Sequence, residues 1–148
     1  MVLGLVLLLV FGLGIPLLFG FSIWYWAGRS EIALSTFLLF FVHQLLTAGT
    51  IEEIVFRGHV FKKLQDNYKN WVAVIVSAVI FGAIHIPSFV VVGNDMLPAN
   101  GWIYVLMATL MGLLYGVFRA KGATMVTLIL SHALYNAVFA AVLVHLFY

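Results

Sequence analysis

Glu52, Glu53 and Arg57 stand inside an apolar stretch of a chain that otherwise keeps its charges at the edges of such stretches. Of twelve Asp, Glu, Lys and Arg residues, nine fall in or beside short polar breaks and these three do not. A charged side chain at bilayer depth costs at least about 2.5–3.5 kcal/mol on insertion scales, so it usually marks function. Glu53 and Arg57 are spaced i,i+4, share a helical face and can form an internal ion pair. Glu52 points about 100° away from Glu53 and has no partner on its own helix. Two further apolar stretches carry His85, and His132 with Asn136 four residues on. At about 1.5 Å per residue, Glu52 and His132 each lie roughly 15 Å from the nearest basic break, and His85 about 21 Å. A chance scatter of polar residues would not need to match in depth.

A carboxylate held out of water beside a histidine can take a proton from a water molecule and hand it on. A second histidine and an asparagine amide can donate hydrogen bonds to an oxyanion as it forms. Those are the parts of peptide hydrolysis by an activated water. A divalent metal such as zinc, held by Glu52, His85 and His132, is the alternative, since it would make a nucleophile of its bound water. Other chemistries fit less well. The chain has no cysteine, which excludes thiol nucleophiles and disulfides. It has no His-Glu-x-x-His zinc motif and no Gly-x-Gly-Asp segment. Ser131 and His132 are adjacent on a helix and do not face each other. Among the remaining histidines, His59 and His145 read as interfacial, and His43 as the donor or acceptor of a helix-to-helix hydrogen bond.

The elements that must position these groups are membrane helices. Hydrophobic residues make up 65% of the 148 and charged residues 8%, too few charges to cover a soluble domain, where about 25% is usual. Spanning segments of roughly 20 residues are expected in such a chain. Five can be drawn, at 1–27, 32–61, 71–92, 101–118 and 123–147. The expected architecture is an all-α polytopic bundle of about five spans around a buried polar cavity, a single membrane domain over 1–148. A span plus an interfacial helix is the alternative for the second segment. Lys62, Lys63, Lys69, Arg119 and Lys121 fall in alternate breaks, which lie on one face. The positive-inside tendency makes that face cytoplasmic and puts the N-terminus on the same side. The formal net charge of +2 points to no nucleic-acid partner. Gly112 and Gly116 form a small-xxx-small pattern suited to close packing within the bundle. In His85-Ile86-Pro87 the proline is expected to kink or end the third helix just beyond the histidine.

Together the motifs resemble a known set. Glu52-Glu53-Ile54-Val55-Phe56-Arg57-Gly58 matches EExxxRG, Phe81 to His85 matches FxxxH, and His132 to Asn136 matches HxxxN. In that order, on successive apolar segments, they resemble the CPBP family of membrane proteases over about residues 35–140. That family includes CAAX prenyl endopeptidases and bacterial bacteriocin-processing or immunity relatives. The resemblance implies an intramembrane endopeptidase acting on a peptide or protein substrate. Glu52 and His85 would activate the water, and His132 and Asn136 would stabilise the oxyanion. Glu53 and Arg57 would be mainly architectural, and Phe81 would pack beside His85. His132 and Asn136 suit an oxyanion site better than a closed metal sphere, which favours the metal-independent scheme over a metalloprotease. The short chain suits a prokaryotic plasma-membrane member; it specifies neither a prenyl-binding groove nor an oligomeric state. A non-catalytic immunity or scaffold protein of the same fold is the first alternative. A proton-coupled transporter is the second, disfavoured by the absence of an internal repeat.

Overall fold

The computed structural model describes residues 34–87 and 101–147. The expected first segment and the breaks at 28–31 and 93–100 lie outside them. Among the described residues all regular structure is helical: α1, Leu34–Asn67; α2, Asn70–Ala83; α3, Gly101–Ala120; and α4, Met125–Phe147. The expected all-α membrane bundle is what they form. Three helices are long and apolar enough to cross a membrane, and α2 is an apolar but shorter one.

Two boundaries differ from expectation, each for a physical reason. With 34 residues, α1 is about 51 Å long, well beyond a hydrocarbon core of about 30 Å. Its last turns therefore carry polar residues, and Lys62 pairs with Asp66 on the exposed surface. The expected break from Lys62 to Asn70 narrows to Tyr68 and Lys69, where the backbone becomes extended. α2 stops at Ala83, so His85, expected midway along a helix, sits in the turn beyond its end. Pro87 has no N–H to give the Ala83 carbonyl, so the regular helix ends two residues before the histidine rather than just after it.

α1 is not uniformly α-helical. It widens into π-helix at Leu45–Gly49 and again at Ile54–Val60, on either side of the two glutamates. Hydroxyls at the first π segment take up backbone carbonyls. Thr47 Oγ1 donates to His43 O at 2.6 Å, and Thr50 Oγ1 donates to Leu45 O. Each π turn absorbs one residue and rotates the remainder of the helix about its axis. In a plain α-helix Gln44 would face about 80° from Glu52; one absorbed residue brings the two within about 20°.

α2 and α3 pack antiparallel through small residues. Gly112 meets Ala78, Gly116 meets Val74, and Gly82 meets Thr109. The expected glycine pattern thus works inside the bundle. The antiparallel order also brings Lys62, Lys63 and Lys69 to the same end of the bundle as Arg119 and Lys121. There Gly122, at φ +93°, a conformation glycine adopts without steric penalty, turns the chain from α3 into α4. A methyl group added at Gly82 would lie 1.9 Å from Thr109 Oγ1, and that hydroxyl is held by its 2.8 Å bond to Val105 O. Gly82→Ala is therefore expected to destabilise the bundle by about 1–3 kcal/mol through overpacking. A thermal melt in detergent measures it, and Thr109→Ala in the same chain should recover most of the loss.

α1 and α4 are antiparallel too. Gly49 lets their backbones approach, with its Cβ position 3.1 Å from Ile129 O and 3.3 Å from the Ala133 methyl. The bundle buries a polar cluster within an apolar core and turns apolar residues outward. Gln44, Glu52, Glu53, Arg57, His132 and Asn136 are buried, while Leu39, Leu46, Val126 and Leu134 are exposed. That distribution suits lipid as the outer solvent.

Candidate active site

α1 brings Glu52, Glu53 and Arg57 to the inner face, and α4 meets them with His132. Glu53 is wholly buried. Its Oε1 accepts a 2.8 Å hydrogen bond from His132 Nδ1 and lies 3.1 Å from Arg57 Nη1. The i,i+4 ion pair expected from sequence is present. The bond from Glu53 to His132 was not anticipated, and it makes Glu53 the acceptor that orients the imidazole. Glu52, the preceding residue, takes no hydrogen bond from any described residue. Its Oε2 lies 3.8 Å from His132 Nε2, beyond hydrogen-bond length. The two carboxylates therefore flank one histidine, Glu53 bonded to Nδ1 and Glu52 facing Nε2.

Arg57 holds the cluster to the remaining helices. Its Nη2 donates to Gly112 O on α3 at 3.3 Å. Its guanidinium lies 4.6 Å from the Phe81 ring centre and 5.5 Å from that of Tyr115, within range of cation–π attraction. Tyr115 also stacks on His132, with ring centres 5.6 Å apart and planes 25° from parallel. Phe81 is the apolar hub. Its ring meets Phe56 edge-on at 5.0 Å, His85 at 4.8 Å and His132 at 6.1 Å.

His85 stands apart from the ion-pair cluster. Its Nδ1 is 2.7 Å from Phe81 O; a carbonyl only accepts, so Nδ1 carries a proton, and in the neutral ring Nε2 is then the acceptor. Tyr104 on α3 packs edge-on against the same ring, 5.6 Å away. The structure thus joins Glu52, Glu53, Arg57 and His132 directly and links His85 to them through the Phe81 ring.

Asn136 lies one turn beyond His132 on α4 and donates to Gln44 Oε1 at 3.0 Å, both side chains buried. Its amide is thus already partly engaged, leaving one N–H uncommitted. Gln44 in turn approaches His43 Nδ1 at 3.4 Å. The helix-to-helix hydrogen bond expected of His43 is made instead by its neighbour Gln44. His59 is exposed. Ser131 donates to Leu128 O at 3.0 Å within its own helix, consistent with the expected absence of a dyad. The sequence reading missed Gln44, Tyr104 and Tyr115. A lone buried amide in an apolar run was a signal for Gln44; nothing local distinguished the two tyrosines from membrane aromatics.

The zinc alternative named Glu52, His85 and His132 as ligands. The Nδ1 bonds of His132 to Glu53 and of His85 to Phe81 O leave each Nε2 facing away from them, an arrangement that by itself is compatible with ligation. Among the described residues no three His, Asp or Glu side chains are placed to share a metal ion.

Neither a curated protein nor a solved structure matches the chain. The family model for Rce1-like type II CAAX prenyl endopeptidases matches residues 34–138, a stretch that holds every residue of the cluster from Gln44 to Asn136. On that match over most of its length, the chain belongs to the Rce1-like family of type II CAAX prenyl endopeptidases.

Proposed function

We propose that this protein is an intramembrane endopeptidase that uses Glu52 and His85 to activate water, and His132 and Asn136 to stabilise the oxyanion. The observation that carries the reading is the division of labour between the two glutamates. Glu53 is tied to Arg57 and His132, whereas Glu52 is buried at 3% exposure and free of hydrogen bonds from the described residues. A carboxylate buried at that depth without a hydrogen bond from the described residues has little structural reward, so it serves chemistry.

In this scheme a water loses its proton to Glu52, with His85 Nε2 as a second acceptor. The hydroxide oxygen bonds to the carbonyl carbon of the substrate peptide. The negative charge that forms on the carbonyl oxygen is met by His132 Nε2, when protonated, and by the free N–H of Asn136. Collapse of the tetrahedral intermediate breaks the C–N bond, and the stored proton passes to the leaving amine. Glu53 holds the His132 ring, and Phe81 holds the His85 ring. The basic end of the bundle faces the cytoplasm in this reading, and the substrate is a peptide or a membrane-associated protein.

The purified protein is expected to cleave members of a quenched-fluorescence peptide library in detergent, and His132→Ala is expected to slow the cleavage about a hundredfold or more. A chelator that strips zinc should leave the rate unchanged. Equal turnover by wild type, Glu52→Ala and His132→Ala would remove this site from the reaction, and loss of activity on chelation would replace the water-activation scheme.

A further inference from the structure

Gln44 is one of the few side chains buried to 1% exposure that the proposed chemistry leaves without a task. It is an amide in an apolar helix, where an unsatisfied polar group would be costly. Three features of the fold are directed at it. The π turn at Leu45–Gly49 begins at the next residue and brings Gln44 round to the side of α1 that carries Glu52. Gly49 then brings α1 against α4 at Ala133, the residue between His132 and the turn that bears Asn136. On one side of this contact Glu53 bonds to His132, and on the other Gln44 bonds to Asn136. The two halves of the proposed oxyanion site are therefore each held from α1 by one buried acceptor oxygen.

We infer that Gln44 is a positioning residue, whose side-chain oxygen fixes the rotation of the Asn136 amide so that one N–H is held and the other is left for the oxyanion. Gln44 Nε2 lies 3.4 Å from His43 Nδ1, a contact that favours this sense of the amide in the tautomer whose Nδ1 carries no proton. Without Gln44 the Asn136 amide can turn about its last torsion, and a donor misplaced by about 1 Å can cost up to about a hundredfold in rate. The inference rests on the protease reading and adds a residue to it.

The test uses the full chain in detergent with the same peptide library. Gln44→Met keeps the volume and removes the acceptor. It is expected to lower kcat about tenfold to a hundredfold with KM little changed. Gln44→Glu keeps an accepting oxygen and should recover most of that loss. In an Asn136→Ala background Gln44→Met should cost little more, because the two residues act as one unit. Solvent exchange of the Asn136 side-chain amide, followed by NMR on asparagine-labelled protein, should quicken in Gln44→Met and stay slow in Gln44→Glu. That measurement reads the clamp without turnover. Gln44→Met with wild-type kcat, losses that multiply independently with Asn136→Ala, or unchanged amide exchange would each overturn the inference. If Gln44→Met does not fold, a Gln44→Glu rate as low as that of Asn136→Ala overturns it, and a rate near wild type supports it. Failure of the protease reading is separate: there Asn136→Ala itself leaves the rate unchanged.

Discussion

Glu52→Gln is expected to slow peptide hydrolysis by about two to four orders of magnitude, the usual contribution of a general base, while leaving the protein at least as stable as wild type. Both halves of the expectation rest on the surroundings of Glu52. It receives no hydrogen bond from the described residues, and His132 Nε2 lies 3.8 Å from its Oε2. Removing its charge leaves no partner orphaned and lowers the cost of burial. Glu53→Gln should behave in the opposite sense. It takes the negative charge from beside Arg57, which is buried to 1% exposure, and weakens the acceptor for His132 Nδ1. Stranding that cation is expected to cost about 3–5 kcal/mol. Turnover and unfolding of the two variants, measured side by side, separate the roles. A Glu52→Gln protein that cleaves at the wild-type rate, or two variants equally destabilised, would overturn the assignment.

The second large effect is at Arg57. Arg57→Leu leaves Glu53 buried without its cation and is expected to destabilise by about 3–5 kcal/mol. The loss extends beyond charge, because the guanidinium also donates to Gly112 O and lies over two aromatic rings. Arg57→Lys restores the charge but not the planar fork or its fit against Phe81 and Tyr115, so it should recover only part of the stability. Removing both partners, as Glu53→Gln with Arg57→Leu, should cost less than Arg57→Leu alone, since Glu53 then leaves no charge stranded by the loss of the arginine. Denaturant unfolding in detergent measures all three. A shift for Arg57→Leu no larger than that for the exposed Lys63→Ala would refute the structural role.

Depth and chemistry were legible in the sequence because the membrane makes them so. In a chain with few charges, a glutamate ten residues from the nearest polar break is conspicuous, and the i,i+4 spacing of Glu53 and Arg57 pairs them through helical geometry alone. His132 and Asn136 were legible in the same way, as polar residues one turn apart in an apolar run.

Other features depended on departures from ideal helices and on contacts between them. Gln44 shares the inner face of α1 with Glu52 because of a π turn, which leaves no periodic mark in the sequence. The end of α2 before His85 comes from the N–H that Pro87 lacks, but the ring contacts that hold His85 come from Phe81 and from Tyr104, on another helix. The sequence by itself determined that this is a helical membrane protein with carboxylates, an arginine and histidines at matched depth, because burial cost and helical period act along one chain. Only the tertiary structure decided that Glu53 grips His132 and that Gln44 grips Asn136. Which of two neighbouring side chains meets a partner on another helix depends on helix rotation and approach, and the π turns and small residues of α1 set both.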